Sequence, residues 1–256
     1  MIGKGRVAAV RRVTPDLEIW DDVPIDRPIN PSDVAALAFT PNGGRLITGS
    51  GTLPGEPPAE LICWALGTRS QPLWRMPYPT GITAITVSPD GKRLVVGGMD
   101  GFLRLHRIDQ PIGALCAINV GDTIVSATYA HHTSLVAVTD STDRVQVFDV
   151  SDESFAHRAE IEQAGAALSP LAFGPTDDTL YVKGDHGVHR WDVRAMKPID
   201  PVISFFDEVS TLCLSSTPEA VIDITKTGKL ILRTVSRQVS GCRAVVGLQP
   251  SPVDPR

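Results

Sequence analysis

The chain has 256 residues, of which 42% are hydrophobic, 21% charged and 5% aromatic, enough apolar content to bury a large core in one domain. Its formal charge of −5 comes from 24 basic and 29 acidic residues mixed along the chain, so no basic stripe recommends a nucleic-acid or anionic-membrane partner. No run of about 18 apolar residues offers a membrane-spanning helix, and the N-terminal MIGKGRVAAVRRV lacks the apolar core of a signal peptide, so a cytoplasmic location is the expectation.

Short strands of alternating character recur along the chain, and six of them end in a similar landmark: LEIWDD (17–22), LICWAL (61–66), LRLHRI (103–108), VQVFDV (145–150), VHRWDV (188–193) and LILRTV (230–235). Their fourth residues, Trp20, Trp64, His106, Phe148, Trp191 and Arg233, are separated by 44, 42, 42, 43 and 42 positions. A strand-only repeat of about 40–45 residues marks a β-propeller, with one four-stranded antiparallel sheet, or blade, per repeat. The expected fold is therefore all-β: a six-bladed β-propeller forming a single domain over 1–256.

The first repeat (1–33) starts in mid-blade. Its second strand is expected near 7–10 and its third at 17–20, while its first would have to begin before Met1, so this blade is expected to lack its innermost strand. The second repeat (34–80) contains LAFTPNGGRLITGS and is longer than the third: Phe39 to Val87 spans 48 positions against 42 from Val87 to Tyr129. The extra length lies in SGTLPGEPPAE (50–60), whose prolines predict a semi-rigid projecting loop. The third repeat (81–120) is the clearest, with strands at 82–87, 93–97, 102–107 and 114–119 around an SPDG turn (88–91) and a Met99-Asp100-Gly101 hairpin. The fourth (121–165), fifth (166–206) and sixth (207–249) follow the same pattern less closely, with an outer strand of the sixth expected at 240–246 and a proline-rich tail at 250–256.

The SPDG turn, the Asp-Gly hairpin and the strand that follows it resemble the WD-repeat family, and the resemblance extends through nearly the whole chain. It implies a propeller that binds partners rather than transforms them. The Gly-His pair that many WD repeats carry before the first strand is absent from all six repeats. The family's buried Asp-His-Ser/Thr-Trp network is therefore expected to be incomplete, with strand packing in its place.

Catalysis finds no support in the residues that would line a central channel. The innermost strands VAALAF (34–39), ITAITV (82–87), TIVSATY (123–129), LSPLAF (168–173) and VSTLCL (209–214) contain no Asp, Glu, His, Lys or Arg, and so no carboxylate pair or hard-metal site. Cys63, Cys116, Cys213 and Cys242 have no metal-ligand spacing and read as buried thiols. Of the six histidines, His131 and His132 share a turn, His106 and His157 are isolated, and His186 and His189 could converge on a metal with Asp185 but lack a fourth ligand. No catalytic residue, cofactor or metal site is assigned.

The expected function is that of a non-enzymatic scaffold binding a protein or peptide. Its docking face is expected on the rim where the hairpins between second and third strands meet the loops from outer to inner strands. Candidate contacts there are Tyr78, Asp100, Phe102, Asp143, Arg144, Asp185, His186, Lys226 and Lys229, with Phe102 and Tyr78 weighted as exposed aromatic anchors. The alternatives are a sensor propeller within a larger signalling protein such as a kinase or NTPase, supported by the mid-blade start, and a propeller hydrolase or lactonase, supported by His186, His189 and their acidic neighbours.

Overall fold

The structure, a computed structural model, describes the backbone of residues 9–13, 19–24, 34–51, 58–66, 71–110, 113–161, 171–184, 187–204, 209–216, 219–225 and 230–234. Side chains are described within 34–199. Every regular element among these residues is a β-strand, and every pairing is antiparallel between strands consecutive in sequence. Among the described residues no helix is long and apolar enough to cross a membrane.

The chain forms two compact units, residues 1–169 and 170–256. The first holds a two-stranded sheet of β1 (Ala9–Val13) and β2 (Ile19–Pro24) and three four-stranded sheets. These are β3 (Val34–Phe39), β4 (Arg45–Ser50), β5 (Ala59–Ala65) and β6 (Gln71–Tyr78); then β7 (Ile82–Val87), β8 (Arg93–Gly98), β9 (Phe102–Arg107) and β10 (Cys116–Asn119); then β11 (Ile124–Tyr129), β12 (Leu135–Asp140), β13 (Val145–Asp149) and β14 (Ala156–Ile161). The second unit holds the four-stranded sheet β15 (Leu171–Phe173), β16 (Thr179–Gly184), β17 (Gly187–Asp192) and β18 (Lys197–Ser204), and a three-stranded sheet of β19 (Val209–Ser216), β20 (Glu219–Thr225) and β21 (Leu230–Thr234). These up-and-down sheets are propeller blades.

Within blades, the landmark residue pairs with the second position of the second strand: Leu46 with Trp64, Leu94 with His106, Val136 with Phe148 and Leu180 with Trp191. The first hairpin breaks this rule. There Arg12 pairs with Asp21 and Val13 with Ile19, so Trp20 lies beside the connecting loop. The strands expected at 7–10 and 17–20 thus sit a few residues further along, and Trp20 is not equivalent to Trp64. The outer strand expected at 240–246 lies outside the described residues.

Turn chemistry repeats where the first strand meets the second. In TPNG (40–43), Thr40 Oγ1 donates to Asn42 Oδ1 (2.7 Å), which also accepts from the Gly44 amide (3.0 Å), while the Arg45 amide donates to Thr40 Oγ1 (3.0 Å). SPDG (88–91) repeats it atom for atom, with Ser88, Asp90, Lys92 and Arg93 in the same roles. The fourth residue must turn left-handed: Gly43 has φ 65°, Gly91 68° and, in the fifth repeat, Asp177 60°.

The three four-stranded sheets of the first unit pack face to face in succession through their inner strands. One apolar cluster joins Ile47, Leu61 and Cys63 of β4 and β5 to Ile82, Ile85, Leu94 and Val96 of β7 and β8. A second joins Val95, Leu103 and Leu105 to Ile124, Tyr129, Val136 and Phe148. Close approach at each junction depends on a glycine in the second strand. A Cβ at Gly49 would overlap Ile82 Cγ2, and one at Gly97 would overlap Ile124 Cγ2. Both isoleucines open an innermost strand that bulges at its next residue, since pairing shifts between Ile82 and Ala84 and between Ile124 and Ser126. On β3, whose partner-facing side corresponds to that of β7, Leu37 and Phe39 are instead 47% and 46% exposed.

One link of the expected polar network survives. Trp64 Nε1 donates to Thr48 Oγ1 at 3.0 Å in a buried setting. By register the Thr48 position is Val96, Val138 and Val182 in the next three blades. The buried Trp191 Nε1 of the fifth repeat accordingly has no hydrogen-bond partner.

Two outcomes follow for stability. Gly97→Ala should lower the urea midpoint by the equivalent of about 1–3 kcal/mol through overpacking, whereas Gly44→Ala, whose Cβ meets nothing nearer than 3.4 Å, should change it little. Thr48→Val should cost about 1–3 kcal/mol in the same titration by stranding the Trp64 N–H.

Candidate functional site

The β8–β9 and β12–β13 hairpins place an Asp and an Arg four residues apart on the same rim. Asp100 receives Arg104 through two hydrogen bonds, Nη2 to Oδ2 at 2.5 Å and Nη1 to Oδ1 at 3.1 Å, and the Phe102 amide at 3.2 Å. Arg104 lies between two rings, 5.1 Å from the Phe102 centroid and 5.6 Å from that of Tyr78. Asp140, 2% exposed, accepts from Arg144 Nη2 (2.7 Å) and Nε (3.0 Å) and from the Thr142 hydroxyl (2.6 Å). Arg144 Nη2 reaches the Val120 carbonyl across the junction (3.3 Å). That reach is open only because residue 121 is glycine, for a Cβ there would overlap Arg144 Nη2.

Burial alone would raise both carboxyls, but the Arg104 and Phe102 donors at Asp100, and the Thr142 and Arg144 donors at Asp140, outweigh it and hold both below the usual carboxylate range. The rim's charges are thus paired within their own hairpins, and the pairing fixes side-chain positions more than it stabilises the fold.

Tyr78 is not the exposed anchor that the sequence suggested. It is 4% exposed, and its hydroxyl sits 3.1 Å from His106 Nε2 of the next blade. His106 Nδ1 lies 3.0 Å from the Gly113 carbonyl, which can only accept, so the proton resides on Nδ1 and Nε2 accepts from Tyr78. Burial, with Arg104 nearby, lowers the His106 pKa even though the Gly113 carbonyl opposes it, and burial raises that of Tyr78. His106, read from sequence as isolated, is therefore a neutral bridge between blades.

Phe102 is half-buried, and Met99 beside it is 46% exposed. Asp143 occupies a left-handed turn position with φ 64°. Asp185, His186, Lys226, Lys229 and residues 52–57 of the long loop lie outside the described residues. His189 pairs with Val182 inside the fifth blade, and among the described residues no group of three or more His, Cys, Asp or Glu could hold a metal. Cys63 is buried, which pushes its thiol up to about 11, while Cys116 is only half-buried.

Concave surface lies at the other end of the strands, where sequence reading placed no site. A cleft of about 450 Å³ is lined by Asp90, Lys92, Arg93, Arg107, Asp109 and Glu153. A second of about 310 Å³ shares Asp90, Lys92 and Asp109 and extends to Asn42 and Arg45. Arginines cross the blade junctions here: Arg45 to Asp109 (2.5 Å), Arg93 to the Val150 and Ser151 carbonyls (2.5 and 3.2 Å), and Arg107 to Glu153 (2.6 Å). Arg45 and Arg93 both open the second strand of their blade, a recurrence that could have flagged them.

Residues 71–107 match the family model described as WD domain, G-beta repeat. The solved structure of U3-55K resembles the chain with a TM-score of 0.64 at 14% identity, covering 80% of this chain and 62% of that one. The chain thus spans less than two thirds of the length of that neighbour. No curated protein matches the sequence. The match of one repeat and the fold likeness together support a WD-repeat β-propeller.

Stability should fall on acidification in two stages. Because the folded His106 pKa lies below the ordinary 6.5, the unfolded chain takes up the proton first, and stability declines as pH drops below about 6.5. Asp100, Asp140 and Asp149 have folded values below the ordinary 3.8, so their contribution is present above it and lost below it. Thermal midpoints measured against pH should show both stages, and His106→Phe should flatten the upper one while leaving the lower.

Proposed function

We propose that this chain is a non-enzymatic scaffold that binds a protein or peptide on the rim carrying the β8–β9 and β12–β13 hairpins. The observation that carries the reading is the Arg104 assembly, in which a bidentate carboxylate and two aromatic rings hold one guanidinium and present Phe102 and Met99 beside it. A side chain fixed before docking loses little conformational entropy on binding, and aromatic and Arg residues are those most enriched at interface centres. Asp143 and Arg144 extend the same rim on the neighbouring hairpin. The likeness to WD-repeat propellers, which are typically non-enzymatic, supports binding over catalysis, as does the absence of charged side chains from the innermost-strand sequences.

Affinity capture with the full chain, followed by mass spectrometry, should yield a partner whose binding is then titrated. Phe102→Ala should weaken it by about 1–3 kcal/mol without changing the thermal midpoint, while Asn42→Ala, at the other end of the strands, should not. Unchanged affinity in Phe102→Ala together with a loss in Asn42→Ala would place the partner elsewhere.

A further inference from the structure

The two clefts on the turn end adjoin through Asp90, Lys92 and Asp109, forming one trough across three consecutive blades from Asn42 to Glu153. Its charges are unequally satisfied. Asp109 is neutralised by Arg45 and Glu153 by Arg107. Asp90 is held by the Ser88 hydroxyl and the Lys92 amide, which pins its carboxylate against the turn. Arg93, by contrast, is bonded through Nη1 to two neutral carbonyls, so its charge is oriented but not balanced by those contacts. Lys92 is exposed, and its ammonium makes no hydrogen bond or ion pair among the described residues. Two adjacent cations facing one pinned carboxylate leave the middle of the trough with excess positive charge, in a chain whose net charge is −5.

We propose that this trough is a second docking surface, separate from the hairpin rim, that takes an extended acidic peptide segment of a protein partner, with a carboxylate of the segment received between Lys92 and Arg93. The polar walls suit such a ligand: Gln110 offers a side-chain amide for backbone hydrogen bonds, and the apolar lining is limited to Pro41 and Pro89. An acidic segment gains both the local field and hydrogen bonds there, while a basic one meets the cations and an apolar one meets only two prolines. Binding by exposed charges is weak and strongly screened, so salt dependence is part of the proposal.

The test is fluorescence polarisation of the full chain with a labelled peptide of alternating glutamate and serine, its glutamine counterpart, and a lysine counterpart. The acidic peptide should bind, and roughly a tenfold increase in ionic strength should largely abolish binding, as the screening length shrinks from ~10 Å toward ~3 Å. Lys92→Glu should weaken it by about fivefold or more. Lys197→Glu makes the same change of net charge at an exposed position of the other unit and should leave it nearly unaffected. Thermal midpoints matching wild type in both variants keep the comparison free of unfolding. No binding of the acidic peptide, equal weakening by the two variants, or equal binding of the glutamine or lysine peptide would overturn the proposal. So would tighter binding of a labelled single-stranded oligonucleotide than of the acidic peptide. Because Phe102→Ala leaves the trough intact, it should not alter peptide binding, and failure here leaves the rim reading standing.

Discussion

The contact on which the described blades of the first unit depend is that of an isoleucine at the start of one innermost strand seated on a glycine in the second strand of the blade before. Ile82 on Gly49 and Ile124 on Gly97 set how closely two sheets approach, and that approach gathers Ile85 with Ile47 in one cluster and Tyr129 with Val95 in another. Apolar burial supplies the driving force, but it is indifferent to where along the sheet the faces meet. The glycine gives the interface a socket, and the bulge after the isoleucine turns the strand so that the side chain enters it.

Polar groups then lock what packing brings together, and they do so at both ends of the strands. At the turn end Arg45 and Arg93 span successive junctions from equivalent positions. Close to that end His106, opposite Leu94, takes the Tyr78 hydroxyl, and at the rim end Arg144 takes the Val120 carbonyl. Each of these contacts joins one blade to its neighbour, so blade-to-blade order adds to the pairing within each hairpin in fixing side chains.

The period and the strand pattern were legible because each landmark is constrained locally: a bulky residue opposite position two of the preceding strand recurs in four blades. Trp20 carries the same local signature in a different register, since alternation alone does not say which residues of a hairpin pair. Tyr78 precedes a proline in what reads as a loop, and nothing near it in sequence reveals that His106 and Arg104 cover it. The trough was invisible for the same reason, being assembled from Arg45 and Asp109, and from Arg93 and Ser151, which lie far apart in sequence. The missing Gly-His pairs implied a broken network, and the Trp64–Thr48 bond required knowing that Thr48 faces inward.

The repeated junction also makes the middle blades interchangeable parts. A stretch running from Ile82 to the residue before Ile124 begins with the isoleucine and carries the glycine, Gly97, that receives the next one. Copied in tandem, it would present a matching plug and socket at both new boundaries. Gene duplication could therefore lengthen such a chain by a whole blade without inventing a single new interface, whereas the following repeat, which carries Thr139 at the position of Gly97, could not be copied on those terms.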